Sequence, residues 1–110
     1  MKFGKILNGW ENMYQISNLG RVKSLNYNRT GKEQIIKSHK RKDGYVQVCL
    51  CRNKKITTYK LHRLVAETFL ENPNNLPCVN HKDENKENNQ ISNLEWCDKV
   101  YNINYRYAKL

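Results

Sequence analysis

At 110 residues the chain is predicted to form one compact domain, or two small lobes that share a core, rather than two domains with independent cores. Its 38% hydrophobic residues predict a globular fold. No apolar run approaches the roughly 20 residues that a membrane helix needs, and the start MKFGKILNG lacks the apolar core of a signal peptide. The sequence therefore predicts a cytoplasmic protein. Twenty Lys and Arg residues against ten Asp and Glu residues give a net charge of +10.

The positive charge is concentrated in the first half of the chain. Residues 1–60 carry 14 basic and 3 acidic side chains, whereas residues 61–110 carry 6 basic and 7 acidic ones. Basic side chains that neutralise phosphates release condensed counterions, so this asymmetry predicts that the first half binds nucleic acid. A basic surface without a specific partner is the alternative. We therefore divide the chain into a basic, β-rich DNA-binding module at 1–60 and a second segment at 61–110.

Two hairpins are predicted in the basic module. In the first, apolar and polar residues alternate on each side of residues 18–20, and Gly20 supplies the positive φ that such a turn needs. In the second, apolar residues alternate from Val46 to Leu50, and residues 52–55 form a basic turn. Each pattern indicates an antiparallel pair of strands with one buried face.

The stretch between the hairpins, residues 26–42, is polar and basic and is predicted to be a loop or an edge strand. Its densest cluster, residues 39–42, is either an exposed solubilising turn or a phosphate clamp, and the excess charge of this half favours the clamp. The predicted DNA contacts are Arg29, Lys37, His39, Lys40, Arg41, Lys42, Arg52, Lys54 and Lys55.

The four cysteines contain no CxxC pair, so a structural zinc site is poorly supported. Without a secretory signal they are predicted to be reduced, buried thiols. These residues are Cys49, Cys51, Cys78 and Cys97.

After residue 60 the apolar period becomes helical. The apolar residues of LHRLVAETFL recur at the spacing of one helix face, which leaves His62 off that face. His62 is interpreted either as a structural hydrogen-bonding residue or as a catalytic one. The Asn and Pro residues of 72–77 end the helix.

The stretch CVNHKDENKENNQISNLEWCDKVYNINY follows, and its pattern predicts strand, loop, strand and helix. Asn80 and His81 end the first apolar run, and Asn102 lies in the helix that Asp98 is predicted to cap. A neutral imidazole can take a proton from water at cellular pH, and amide oxygens suit a hard divalent ion. The stretch can therefore hold a metal against a phosphodiester. Three further residues are interpreted as loop formers only: Asn85, Asn88 and Asn89.

These residues carry a resemblance to a known family. HRLVAETF, VNHKDENKENNQISNLEWC and the later Asn102 resemble the HNH endonucleases of phage genomes and mobile introns, and WENMYQISNLGRVKSL is similar to a small module that often precedes that nuclease. Asn93 follows His81 by 12 residues and Asn102 follows Asn93 by 9, which is the family spacing. The resemblance implies an α+β fold, with N-terminal antiparallel β-hairpins followed by a helix and a C-terminal ββα-metal motif in residues 61–110.

The resemblance also implies a role for each motif residue. His81 would be the general base that deprotonates the attacking water. Asn80 and Asn102 would give side-chain oxygens to one Mg²⁺ or Mn²⁺ ion, and Asn93 would hold the loop by backbone hydrogen bonds. The implied activity is metal-dependent hydrolysis of double-stranded DNA, as a nick or a double-strand cut.

Asn80 departs from the family, because many relatives have Asp at this position. Two amide ligands carry no formal charge, so we expect the DNA phosphate, or nearby Asp83 or Glu84, to balance the ion. The alternative function is a DNA-binding protein whose nuclease centre has weakened, whereas an RNA-binding protein lacks support because no exposed aromatic stacking motif is visible. The chain ends eight residues after Asn102, so we expect modest sequence specificity, with a homodimer as the route to a double-strand cut.

Overall fold

The computed structural model describes residues 3–6, 10, 13–26 and 31–101. In this part of the chain the elements are, in order, β1 (Phe3–Ile6), β2 (Tyr14–Ser17), β3 (Val22–Ser24), β4 (Gln34–Ile35), β5 (His39–Lys40), β6 (Val46–Arg52), β7 (Lys55–Lys60), α1 (Leu61–Phe69), β8 (Cys78–His81), a 3-10 turn (Ile91–Asn93) and β9 (Leu94–Cys97). The predicted α+β class, with antiparallel hairpins before a helix, is confirmed. Within these ranges no helix has the length and apolarity to cross a membrane. Two predicted functional residues, Arg29 and Asn102, lie outside the described residues.

Strands β1 to β4 form one antiparallel sheet in sequence order. The first predicted hairpin is confirmed, because Ile16 of β2 pairs with Val22 of β3 and both side chains are almost fully buried. Gly20 turns the chain with a φ of +80°, as the turn requires. The alternating pattern therefore places one face of this sheet against the core.

Strands β5, β6 and β7 form a second antiparallel sheet, which confirms the second predicted hairpin. The turn between β6 and β7 lies at Asn53 and Lys54, whose φ values are 51° and 66°. Val46, Val48 and Leu50 are buried on the inner face of β6. The basic residues of the turn, 52–55, are exposed.

The prediction of four buried thiols is confirmed only for Cys97, since Cys78 is half-buried and Cys49 and Cys51 are exposed. Cys49 and Cys51 are exposed, because they alternate with the buried residues of β6 and so lie on its outer face. All four thiols are free, and Cys97 is buried. Burial raises the pKa of the Cys97 thiol to about 11, so this side chain is a protonated, apolar packing group.

Helix α1 packs its apolar face against the strands in a single core. Leu61, Leu64 and Val65 are buried on that face, in the spacing that predicted the helix. The same core contains Trp10 and Tyr14, whose rings meet edge to face with centroids 5.5 Å apart. Residues of both predicted segments, 1–60 and 61–110, thus share one core.

The C-terminal strands β8 and β9 form an antiparallel pair joined by a long loop, in the predicted order of strand, loop and strand. The register places Asn80 opposite Glu95 and His81 opposite Leu94. After β9, residues 99–101 begin a helix, and Asp98 Oδ1 accepts the Tyr101 backbone N–H at 2.6 Å. Asp98 is therefore the N-cap, as its residue type predicts.

Candidate active site

His81 ends β8 with only 5% of its surface exposed. Its Nε2 atom lies 2.8 Å from Asn89 Oδ1, on the loop between β8 and β9. An amide oxygen only accepts hydrogen bonds, so we assign the imidazole proton to Nε2. Nδ1 then carries the free lone pair, and it is the nitrogen able to remove a proton from water.

The surroundings of His81 keep its imidazole neutral. Burial lowers the pKa of His81 from its usual 6.5, because an imidazolium loses solvation there. The hydrogen bond to Asn89 and the charge of Asp83 raise the pKa, but to a smaller extent. His81 is therefore in its basic form at cellular pH.

Three aromatic rings form a cluster at His81. The His62 centroid is 4.9 Å from that of Tyr45 and 4.9 Å from that of His81, and the Tyr45 and His81 centroids are 6.0 Å apart, so the three rings are in mutual contact. The helical pattern placed His62 off the apolar face, but the residue is 6% exposed, because it lies one turn before Val65 and Ala66 and borders the buried stripe. Burial and the neighbouring His81 lower the pKa of His62 to about 3, so its ring is neutral.

The Asn93 side chain forms hydrogen bonds with other residues of the loop between β8 and β9. Its Oδ1 accepts the Asp83 backbone N–H at 3.1 Å, and its Nδ2 donates to Asp83 Oδ1 at 2.8 Å and to the Asn88 carbonyl at 2.9 Å. Hydrogen bonds from Asn88, Asn85 and Asn93 lower the pKa of the Asp83 carboxyl. The predicted role of Asn93, holding the loop by backbone hydrogen bonds, requires contacts of this kind.

The turn of the first hairpin supports the loop at Asn89. Ile91 N–H donates to the Asn18 carbonyl at 3.0 Å. Gly20 approaches so closely that a Cβ atom added to it would lie 2.7 Å from the Asn89 carbonyl oxygen. Asn89 is thus fixed by the N-terminal sheet on one side and by His81 on the other, which is more than the loop-forming role expected from sequence.

We expect Gly20→Ala to lower the free energy of unfolding by about 2 kcal/mol or more, because it combines an unfavourable positive φ with a backbone clash. Urea unfolding measures this change. Gly31→Ala is the matched control, since Gly31 has a similar φ of +76° but open space where its Cβ would lie. An equal decrease in the free energy of unfolding for the two variants would mean that the close contact between Gly20 and Asn89 does not contribute to the effect.

Asn80 is buried beside an acidic residue that sequence reasoning missed. Its Nδ2 donates to Glu95 Oε1 at 2.9 Å, and 4% of its surface is exposed. The acid that contacts Asn80 is therefore Glu95, which was not among the groups named from the sequence as balancing the charge of an ion. Residues 3–6, 10, 13–26 and 31–101 hold no cluster of three His, Cys, Asp or Glu side chains fit for a metal. An ion here would bind to hard amide oxygens with a carboxylate beside them, and oxygen ligands of this kind suit Mg²⁺.

Four of the predicted DNA contacts line one open groove of about 870 Å³, where the two N-terminal sheets meet. They are Lys37, His39, Arg52 and Lys54. The groove therefore presents positive charge along a surface that crosses from β4 and β5 to the tip of the β6–β7 hairpin.

The remaining described contacts lie elsewhere. Lys55 is exposed at the start of β7, and Lys40, Arg41 and Lys42 are exposed in β5 and the turn that follows it. This turn contacts the loop between β8 and β9, because Lys86 Nζ donates to the Asp43 carbonyl at 2.7 Å. Lys86 also lies 4.5 Å above the Tyr45 ring, so the turn and the loop bring further cationic groups to the edge of the aromatic cluster.

Comparisons with known proteins agree with this fold. The model of the NUMOD4 motif matches residues 1–51. The chain is 46% identical to "Uncharacterized HNH endonuclease L245" of Acanthamoeba polyphaga mimivirus over 84% of its length, and 38% identical to "DNA endonuclease I-HmuI" of Bacillus phage SP01 over 96%. A solved structure, "DNA binding and cleavage by the HNH homing endonuclease I-HmuI", matches 99% of the chain with a TM-score of 0.83 and 35% identity.

The matches cover only part of each relative. The chain spans 26% of the mimivirus protein, 58% of the phage SP01 protein and 59% of the solved chain. The resemblance to HNH endonucleases is confirmed across nearly the whole of this chain, whereas the relatives contain further sequence with no counterpart in it.

Proposed function

Because the chain is a relative of HNH endonucleases over nearly its whole length, we propose that it is a metal-dependent DNA endonuclease with His81 as its general base. One observation carries this proposal. The buried imidazole of His81 is held at Nε2 by Asn89, which leaves Nδ1 as the free base. The strand pair that contains His81 is followed in sequence by a helix that Asp98 caps, which is the order of elements in a ββα-metal motif.

The chain's own residues would divide the work of hydrolysis. Nδ1 of His81 takes a proton from water, and Asn89 keeps the ring in the required tautomer and orientation. Asn80 and Asn102 would hold a Mg²⁺ or Mn²⁺ ion by their side-chain oxygens. When bound, such an ion stabilises negative charge on the scissile phosphate and the departing oxygen.

We further propose that residues 1–60 position duplex DNA while residues 61–110 carry the chemistry. The groove between the N-terminal sheets supports this division, because its cationic side chains can contact the phosphate backbone. Such contacts fix orientation without reading sequence, so we expect modest specificity from this part. A homodimer would supply a second active site and with it a double-strand cut.

Removing one groove charge tests the division. We expect Lys54→Gln to weaken duplex binding and to lower the slope of log K against log salt by about 1, because about one phosphate contact is lost. Fluorescence anisotropy with a labelled duplex across a salt series measures the slope. Lys32→Gln removes an exposed charge of the same module outside the groove lining, and an equal effect there would contradict a specific role for the groove.

A second function, a DNA-binding protein with a weakened nuclease centre, is favoured by one feature. Asn80 is neutral where many relatives have Asp, so the residue offers an ion an oxygen but no charge. Metal-dependent cleavage of DNA distinguishes the two functions, because only an active endonuclease is expected to show it.

The test of the proposal is incubation of the purified chain with supercoiled plasmid in Mg²⁺, in Mn²⁺ and in EDTA, with His81→Ala prepared in parallel. We expect open-circular or linear DNA only with metal and only with the unmutated chain. Linear product would indicate action as a dimer. Salt-sensitive binding without cleavage would instead support the weakened centre, and equal cleavage by both proteins would exclude His81 as the base.

A further inference from the structure

Glu95 places a negative charge next to Asn80, the neutral residue proposed to bind the divalent ion. The two residues are directly opposed in the β8–β9 register, and the amide nitrogen of Asn80 lies 2.9 Å from Glu95 Oε1. Directly opposed side chains on antiparallel strands are close enough to act as one unit. Asn80 and Glu95 thus form a pair with one amide and one carboxylate.

The hydrogen bond decides which end of the Asn80 amide is free. The NH₂ group faces Glu95 because only nitrogen can donate to a carboxylate. The described residues provide no hydrogen-bond donor to Asn80 Oδ1. The oxygen is therefore the end of the amide left to bind a ligand.

Glu95 also links β9 to the last helix. Tyr101 Oη donates to the same Oε1 atom of Glu95 at 3.1 Å, and Tyr101 directly precedes Asn102. Other acids near the site have different partners, since Asp83 accepts hydrogen bonds within the loop between β8 and β9, and Asp98 caps the helix. Glu95 is accordingly the carboxylate that bridges the strand carrying Asn80 and the helix leading to Asn102.

We propose that Asn80 and Glu95 together replace a single aspartate ligand: Asn80 Oδ1 contacts the divalent ion, and Glu95 supplies the negative charge through the amide. This inference rests on the proposed function. An aspartate at position 80 would set two carboxylates against each other across the strand pair, which is unfavourable without an ion. The neutral amide avoids this repulsion, and its NH₂ group holds the carboxylate in place.

A charge swap tests the proposal with Mn²⁺ as the probe. Binding of Mn²⁺ to the full chain is measured by electron paramagnetic resonance of the free ion, without DNA, for the unmutated chain, E95Q and the double variant N80D/E95Q. We expect E95Q to weaken Mn²⁺ binding about 10- to 100-fold, as loss of an outer-shell partner does. The double variant is expected to restore the affinity to within about 3-fold, because it moves the charge to position 80 and keeps one oxygen ligand.

Gln is chosen at position 95 because its side-chain oxygen can still accept the Asn80 hydrogen bond, which limits any effect on folding. Thermal unfolding checks that each variant is folded. Mn²⁺ binding by E95Q equal to that of the unmutated chain would overturn the role of Glu95 while leaving the proposed function intact, provided that the unmutated chain cleaves plasmid. A folded double variant that binds as weakly as E95Q would also overturn the pairing. Absence of both Mn²⁺ binding and cleavage in the unmutated chain would overturn the proposed function itself.

Discussion

Replacing Asn89 by alanine is expected to slow DNA cleavage about 100-fold, because general-base catalysis contributes at least about this factor and depends on the orientation of the base. The Asn89 oxygen is the hydrogen-bond partner of His81 Nε2, at 2.8 Å. Without it, the imidazole can place its proton on Nδ1, where the lone pair is needed. Single-turnover cleavage of a labelled duplex measures the rate, and anisotropy without metal is expected to show unchanged DNA binding.

Asn89→Asp distinguishes loss of the hydrogen bond from general damage to the loop. The carboxylate still accepts the bond from Nε2, so we expect it to retain most of the activity. It also stabilises the imidazolium and raises the pKa of His81, so the acidic limb of the pH–rate profile is expected to move to higher pH. In the unmutated chain that limb is expected below pH 6.5, because burial lowers the His81 pKa. A rate for Asn89→Ala within about 3-fold of the unmutated chain would contradict the role of Asn89.

Local sequence patterns predicted most of the fold, because burial of one face of a strand or helix and capping of a helix depend on residues close together in sequence. The alternation around residues 18–20 and from Val46 to Leu50 reflects strands with one buried face, and both hairpins are present. The helical spacing after residue 60 likewise predicted α1. Asp98 marked the start of the last helix because an N-cap satisfies backbone N–H groups by a local bond.

The contacts that complete the site were not predictable in the same way, because they depend on register and on packing between distant segments. Glu95 meets Asn80 only because the hairpin register pairs them, and a shift of one residue would turn Glu95 to the other face. Asn89 receives its position from Gly20, nearly 70 residues earlier in the chain. His62 was assigned by helical spacing alone, which does not report its contacts with the Tyr45 and His81 rings.

Acid is expected to destabilise the protein through His62. Its folded-state pKa of about 3 lies below the usual 6.5, so between these values the unfolded chain binds a proton that the folded chain does not. This effect is absent above pH 6.5 and grows as the pH falls, to about 2 to 3 kcal/mol of lost stability at pH 4.5. Urea unfolding at pH 7 and at pH 4.5 measures the loss.

His62→Phe is expected to remove most of that acid sensitivity. The Nδ1 atom of His62 is buried without a hydrogen-bond partner among the described residues, so a phenyl ring loses no hydrogen bond there and can still stack on Tyr45. At pH 7 we therefore expect a change in unfolding free energy within about 1 kcal/mol. His39→Gln, which removes an exposed imidazole, controls for the loss of a histidine and is expected to keep the acid sensitivity. If His62→Phe lost as much stability at pH 4.5 as the unmutated chain, the acid sensitivity would have to arise from another group, with His81 the first to examine, since burial lowers its pKa as well.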